Sequence, residues 1–288
     1  MTVERWIKRN TSSLEGKTVL ISGSTGGLGR ALCFHLANLG ADLVLLDRNE
    51  AKSRALAEDI KALYPKIKIH HVIADMSDMV SVKRAASELL AREIDYMILN
   101  AGAYSIPREI VSTGYDNVFQ INFVSPYYLA RRLLPSIRAR GGRVVAVGSI
   151  AHNYSEIDPG DIDFKTREQA SLVYGNAKRY LTFALQNLSQ DDVIIAHPGI
   201  SFTGITNHYP KLIFALIKHP MKLIFMKPPR ASLSILHGLF ASCPSDCWIG
   251  PSLFDVWGLP RVKRLRTAGS EEKGKIIKIA NEIYEKLK

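Results

Sequence analysis

Short apolar runs alternate with helix-length stretches through the first two thirds of this chain, and that alternation constrains its fold most. The runs are 18–22, 42–46, 66–73, 96–99, 143–147 and 193–196; the stretches between them include 30–39, 50–63, a segment opening near Ser77, 113–139 and 168–188. Consecutive strands separated by a helix cannot form a hairpin, so they must pair in parallel through crossovers. Right-handed crossovers then place helices on both faces. The expected fold class is α/β: one doubly wound Rossmann-like domain over residues 1–288, its parallel sheet flanked by helices. Hydrophobic residues make up 47% of the chain, enough for such a core.

The first run leads into Ser22-Gly23-Ser24-Thr25-Gly26-Gly27-Leu28-Gly29, and a helix follows. Glycine allows the tight turn and close backbone approach that a pyrophosphate needs. A helix N-terminus behind it offers free N–H groups and partial positive charge. The spacing differs from G-x-G-x-x-G, so taken alone the loop also reads as a tight turn with no ligand. Asp47 closes the second run, 18 residues after Gly29. An acid there can accept adenosine ribose hydroxyls and repel a 2′-phosphate, which points to NAD; the adjacent Arg48 could instead accommodate that phosphate, leaving NADP open. Asp75, after the third run, reads as a contact to the adenine edge or as a helix cap.

Further landmarks fall at strand ends and helix starts: Asn100-Ala101-Gly102 after the fourth run, Ser149 after the fifth, and Tyr174-Gly-Asn-Ala-Lys178 in the helix beyond. Together with the glycine loop they resemble the short-chain dehydrogenase/reductase family, from about Gly16 to Gly204. The resemblance implies a nicotinamide cofactor, hydride exchange between an alcohol and a carbonyl, and an active centre of Asn122, Ser149, Tyr174 and Lys178. It also places Pro198 and Gly199 against the nicotinamide, with Thr203 on its carboxamide, and makes His197 a structural turn residue. Pairing through the helices of Asn122 and Tyr174 is common in the family, so a homodimer or homotetramer is expected. Three positions depart from the family pattern: Ser22 where Thr is usual, Leu99 for the first Asn of Asn-Asn-Ala-Gly, and Ala177 before the lysine.

The chemistry suits these residue types. Carbonyl reduction needs a hydride on carbon and a proton on oxygen. A phenol near pKa 10 is a poor base at neutral pH. Lys178 sits one turn from Tyr174 on the same helix face, so its ammonium, together with the positive nicotinamide ring, is expected to lower the phenol's pKa; a fall of about three units needs roughly 4 kcal/mol. Ser149 would hold the substrate oxygen, and Asn122 a water linking Lys178 to solvent. A non-catalytic dinucleotide sensor on the same fold is the rival reading, and the Tyr–Lys pair favours the enzyme.

From Val193 to Ser245 the chain has no Asp or Glu, while Lys211, Lys218, Lys222, Lys227 and Arg230 alternate with Ile, Leu, Phe and Met. A substrate-lid insertion is expected near 203–230, covering a lipophilic substrate such as a retinoid, steroid or fatty alcohol. His152 and Asp161-Ile-Asp-Phe164 add a resemblance to the retinol-dehydrogenase-like branch. Residues 209–226 also read as a peripheral contact with an anionic membrane. Residues 261–288 form a charged tail ending in an amphipathic helix, with Ile276, Ile277, Ala280, Ile283, Tyr284 and Leu287 on one side. The formal net charge of +11 favours anionic partners, but no nucleic-acid-reading motif accompanies it. Three cysteines, no apolar leader and no membrane-length run give the expectation of a cytoplasmic, metal-free protein without disulfides.

Overall fold

The computed structural model describes residues 1–189, 191–199, 226–244, 246–265 and 268–288. The apolar runs become strands: β1 (Thr18–Ser22), β2 (Asp42–Asp47), β3 (Ile69–Ile73), β4 (Tyr96–Leu99), β5 (Arg143–Val147) and β6 (Val193–Ala196), joined by β7 (Cys247–Leu253) and β8 (Trp257–Arg264). They form one sheet of order β3-β2-β1-β4-β5-β6-β7-β8. All neighbours are parallel except β7 and β8, an antiparallel hairpin.

Helices cover both faces, which is why the central strands are apolar along their whole length. On one face lie α1 (Val3–Asn10), α2 (Gly27–Asn38), α3 (Glu50–Leu63) and the short helices Pro228–Ala231 and Leu233–His237. On the other lie α4 (Met79–Leu90), α6 (Ser125–Ala139), α7 (Ala170–Gln186) and the C-terminal helix Ser270–Leu287. The core is therefore double, one cluster on each side of the sheet.

The chain winds from β1 outward to β3, then returns to place β4 on β1's other side. This reversal opens a crevice at the carboxyl ends of β1 and β4, where α/β sheets bind their ligands. The glycine loop, Asn100 and Ser149 all lie at that end of the sheet.

The elements differ from expectation at several points. α2 begins at Gly27, inside the glycine loop, and Asp78 caps α4, its side chain accepting the Val80 N–H. The long helix starts as α5 (Asn117–Phe119), capped by Asp116, passes through a π-helical turn at Gln120–Val124, and continues as α6. The expected charged tail is strand β8 up to Arg264. The C-terminal helix is as expected, with Ile276, Ala280 and Ile283 buried.

That helix packs across α6 and α7. Arg179 of α7 grips Glu272 with two hydrogen bonds of 2.6 Å, and Asn281 accepts from Arg131 at 2.7 Å and from the Tyr127 hydroxyl at 3.2 Å. The Arg131 guanidinium also lies 4.1 Å from the centre of the Tyr284 ring. From Gly175 to Leu185 every residue of α7 is buried within the chain itself. The expected lid and Thr203 lie mostly outside the described residues, as does the stretch 209–225. Among the described residues no helix is long and apolar enough to cross a membrane.

Candidate active site

The glycine loop is held by contacts that tolerate no side chain. Gly23 adopts a left-handed φ of +68° and donates its N–H to the Leu46 carbonyl at 2.8 Å. A Cβ on Gly29 would sit 2.2 Å from the Gly23 carbonyl oxygen. Gly26 stands at the N-cap of α2 with no side chain to cap it, so the first N–H groups of that helix face the crevice. Thr25, Gly26, Gly27, Leu28 and Gly29 line one wall of a cleft of about 460 Å³, which also runs past Asp47, Arg48, Asn49, Lys52 and Asp75 and past Asn100, Ala101 and Gly102 to Tyr104. An uncapped helix N-terminus over a glycine floor fits a dinucleotide pyrophosphate.

Asn100 locks this loop to β1. Its side-chain amide donates to the carbonyls of Ser22 (3.1 Å) and Gly23 (2.9 Å). The Ser22 hydroxyl accepts the N–H groups of Asn100 and Ala101, each at 3.0 Å. Serine thus supplies the hydroxyl acceptor at the position where the family usually has threonine.

Asp47 lies in the wall of the cleft and is also held by the chain itself. Its carboxylate is buried and accepts from the Ser24 hydroxyl, the Ser53 hydroxyl (3.0 Å), the Thr25 N–H (3.2 Å) and the Thr25 hydroxyl (3.5 Å). Asp47 thus pins the glycine loop to α3 while lining the cleft. Beside it Arg48 is mostly exposed, with Nη1 3.6 Å from an Asp75 oxygen. Asp75 is not the α4 cap: one oxygen takes the Ser77 N–H (2.8 Å) and hydroxyl (2.7 Å), while the other faces Arg48.

At the far end the active-centre residues converge. Tyr174 and Lys178 lie one turn apart on α7, with Nζ 5.7 Å from the centre of the phenol ring. The Tyr174 hydroxyl has the Ser149 side chain as its polar neighbour. Ser149 caps the 3-10 turn Ile150–Tyr154, its hydroxyl accepting the Ala151 N–H at 3.2 Å. A Cβ on Gly102 would lie 2.8 Å from Asn122 Oδ1 and 3.7 Å from Lys178 Nζ, so both polar groups face one gap that only a glycine leaves open.

Two details of this end differ from the sequence reading. Lys178 is 2% exposed and donates to the Val147 carbonyl at 2.9 Å. Burial lowers its pKa from 10.5 to about 8 and pushes the Tyr174 hydroxyl up to about 12, against the pull of the Ser149 hydrogen bond. Burial thus works against acidification of Tyr174 in the free protein, while the effect expected from Lys178 together with a bound nicotinamide ring belongs to the cofactor complex. Asn122 is equally committed. Both protons of its amide are used, by the carbonyls of Ala103 and Val118 at 2.8 Å, and Oδ1 accepts the Ala103 N–H at 3.3 Å. Pro126, four residues on, has no N–H to give the Asn122 backbone carbonyl, and the helix widens here into a π-helical turn, whose carbonyls pair five residues on, as Gln120 does with the Ser125 N–H.

His197 is structural, as expected. It is stacked on Trp248 at 5.3 Å, bonded to the Asp255 carbonyl at 2.9 Å, and held by burial at a pKa of about 4. The next turn brings Gly199 to a φ of +79°. Sequence reasoning missed Tyr104, whose ring meets Tyr174 edge-on at 5.3 Å, and the clamps made by Ser24 and Ser53. None of these carries a spacing signal.

Known proteins resemble this chain in sequence and in fold. The short chain dehydrogenase family model matches residues 17–158. An oxidoreductase of Schizosaccharomyces pombe is 28% identical over 263 residues, covering 82% of this chain and 76% of the relative. Human retinol dehydrogenase 13 is 27% identical over 68% of this chain, which spans 62% of that protein's length. Mouse polyprenol dehydrogenase is 26% identical over 78% of this chain and 72% of its own. Among solved structures, a Mycobacterium paratuberculosis protein superposes with a TM-score of 0.71 at 23% identity, covering 96% of this chain and 94% of the other. A Pseudomonas aeruginosa RhlG/NADP complex gives 0.60 at 23% identity, over 80% and 93%.

Proposed function

We propose that this chain, an oxidoreductase of the short-chain dehydrogenase/reductase family, interconverts an alcohol and a carbonyl on a lipophilic substrate with NADP as its preferred cofactor. The observation that carries this reading is the pair Tyr174 and Lys178, one turn apart on α7 beside Ser149, with Lys178 and Asn122 facing the gap at Gly102 by a glycine-floored cleft. The nicotinamide of the bound dinucleotide supplies or takes up the hydride.

The chain's own residues do the rest. The α2 N-terminus and the glycine loop hold the pyrophosphate. Ser149 donates a hydrogen bond to the substrate oxygen. Tyr174, with its pKa near 12, keeps its proton at neutral pH and is therefore ready to give it to that oxygen during reduction. Lys178 is charged below about 8 and is the cation available to stabilise the phenolate left behind. Asn122 holds the water that links Lys178 to solvent and returns a proton. Thr203 at the carboxamide completes the set and lies outside the described residues.

NADP is put ahead of the NAD expected from Asp47 because that carboxylate is engaged by Ser24, Thr25 and Ser53, while Arg48 and Lys52 line the same end of the cleft. Two cations suit a 2′-phosphate better than a bare ribose. The lipophilic substrate rests on the apolar residues Ile106 and Ile121 beside Tyr104 in the cleft, and on the relatives named for retinol and polyprenol. The homodimer expected through the helices of Asn122 and Tyr174 is opposed by the C-terminal helix, which occupies that surface.

The test is turnover on a panel of retinoid, steroid and long-chain carbonyls with NADPH and NADH in parallel. NADPH-dependent reduction is expected from the wild type, and none from Tyr174→Phe, which should still bind NADPH. A wild type that binds NADPH but turns over no substrate of the panel would favour the sensor reading. A preference for NADH would remove the role given to Arg48 and Lys52.

A further inference from the structure

The turn joining β7 to β8 carries apolar side chains that the fold does not use. Leu253 pairs with Trp257 across the hairpin, and the Val256 N–H closes the turn on the Leu253 carbonyl at 3.0 Å. Phe254 and Asp255, between them, take left-handed φ values of 50° and 58°. Glycine, asparagine and aspartate adopt that conformation readily, and a bulky ring rarely does. Yet Phe254 stands there 94% exposed, flanked by Leu253 at 51% and Trp257 at 41%. Nothing in the described fold accounts for an aromatic ring in a strained turn and in water.

The surroundings of the turn are basic. The Arg230 guanidinium lies 4.8 Å from the centre of the Trp257 ring, and Arg261 is exposed further along β8. The turn's own acid, Asp255, is neutralised by Lys263 at 2.9 Å. A Cβ on Gly199 would touch Met226 Cε and the Val256 carbonyl at 2.6 Å and Pro251 Cγ at 2.8 Å. The chain thus leaves this hairpin at Gly199 and rejoins it at Met226. What runs between is part of the stretch from Val193 to Ser245, which contains no acidic residue.

We infer that this hairpin tip docks the protein onto an anionic membrane, with Leu253, Phe254 and Trp257 entering the boundary between headgroups and acyl chains and Arg230 at the phosphates. Three side chains are too few for a stable protein interface, which needs about 800 Å² from each partner. They are enough for interfacial anchoring, where an aromatic ring and an adjacent cation each find their preferred medium. The docking needs neither cofactor nor turnover, so it stands apart from the catalytic reading.

The intact chain should be sedimented with vesicles of equal parts phosphatidylcholine and phosphatidylserine, and with pure phosphatidylcholine as control. Of its three tryptophans, Trp6 and Trp248 are buried, each 3% exposed, so Trp257 is the one able to meet lipid. Phosphatidylcholine with brominated acyl chains, mixed into the anionic vesicles, should quench Trp257, and Trp257→Phe should abolish that quenching. Phe254→Gly, which also relieves the strained φ, should melt no lower than wild type and bind about tenfold more weakly. Phe254→Asn provides a second variant compatible with the turn. No sedimentation at low salt overturns the inference. So does binding without quenching that Phe254→Gly leaves unchanged, which marks attraction by scattered lysines. A dimer in light scattering that Phe254→Gly dissolves overturns it in favour of self-association.

Discussion

Replacing Lys178 with methionine should abolish turnover and, at neutral pH, stabilise the fold. The ammonium is buried against the Val147 carbonyl, and its pKa falls from 10.5 to about 8. At about 1.36 kcal/mol per pKa unit, the charged form is disfavoured in the folded chain by about 3 kcal/mol relative to the neutral amine. Below about 8 the lysine is protonated in both folded and unfolded chains, so this cost is fully present. Between about 8 and 10.5 the unfolded chain holds a proton that the folded one has released, and wild-type stability rises with pH. Above 10.5 both are neutral and the cost is gone. Lys178→Met has no such dependence. Its stability advantage over wild type should therefore be about 3 kcal/mol larger at neutral pH than above 10.5, or several degrees in Tm for a chain of this size. Paired urea melts of the two proteins at each pH measure this, because all other titrating groups cancel in the difference. An advantage that is equal at both pH values would refute the claim that a dry, charged lysine sits under Tyr174.

Other expectations follow from single contacts. Gly102→Val should fill the gap shared by Asn122 Oδ1 and Lys178 Nζ, and NADPH fluorescence titration should show affinity falling by tenfold or so; unchanged affinity would move the cofactor elsewhere. Asp47→Asn keeps the shape but loses acceptors for the Ser24, Thr25 and Ser53 donors, so thermal melts should show a loss of about 1–3 kcal/mol. Glu272→Ala removes the carboxylate that Arg179 grips while Arg179 Nη1 still donates to the His152 carbonyl at 2.7 Å; a loss of about 3 kcal/mol is expected by urea melting, and none would mean that the pair is solvated. Light scattering should give a mass near the 32.0 kDa of one chain; twice that value would mean that pairing uses a surface other than the covered helices.

The sequence made the first six strands legible because helices cover both faces of the sheet and force whole strands to be apolar. The landmarks at the strand ends were legible for the same reason, since each sits where an apolar run stops. β7 and β8 were not: Pro251 lies opposite Pro260 at the sheet's edge, and β8 alternates apolar and basic residues without a buried run. The active-centre residues could be named, but their ionisation could not. Whether Lys178 faces Tyr174 or the Val147 carbonyl, and how dry the site is, depend on residues distant in sequence such as Tyr104. Asp47 shows the same limit, because its position at a strand end says nothing of the Ser24 and Ser53 hydroxyls that fill it. Pro126 was a readable signal that went unread: a proline four residues after Asn122 removes an α-helical donor and marks where the helix widens into a π-helical turn.

The clasp between Arg179 and Glu272 spans 93 residues, and this has a bearing on biogenesis. During synthesis α7 emerges long before the helix that will seal its outer side. In that interval Phe183 and its apolar neighbours have only a partly built cover, and a ribosome stalled ahead of Ser270 would release a chain with the outer side of α7 bare. Such a product is the natural target of chaperones and proteases, so quality control of this enzyme is set by its final elements rather than by the nucleotide cleft that is made first.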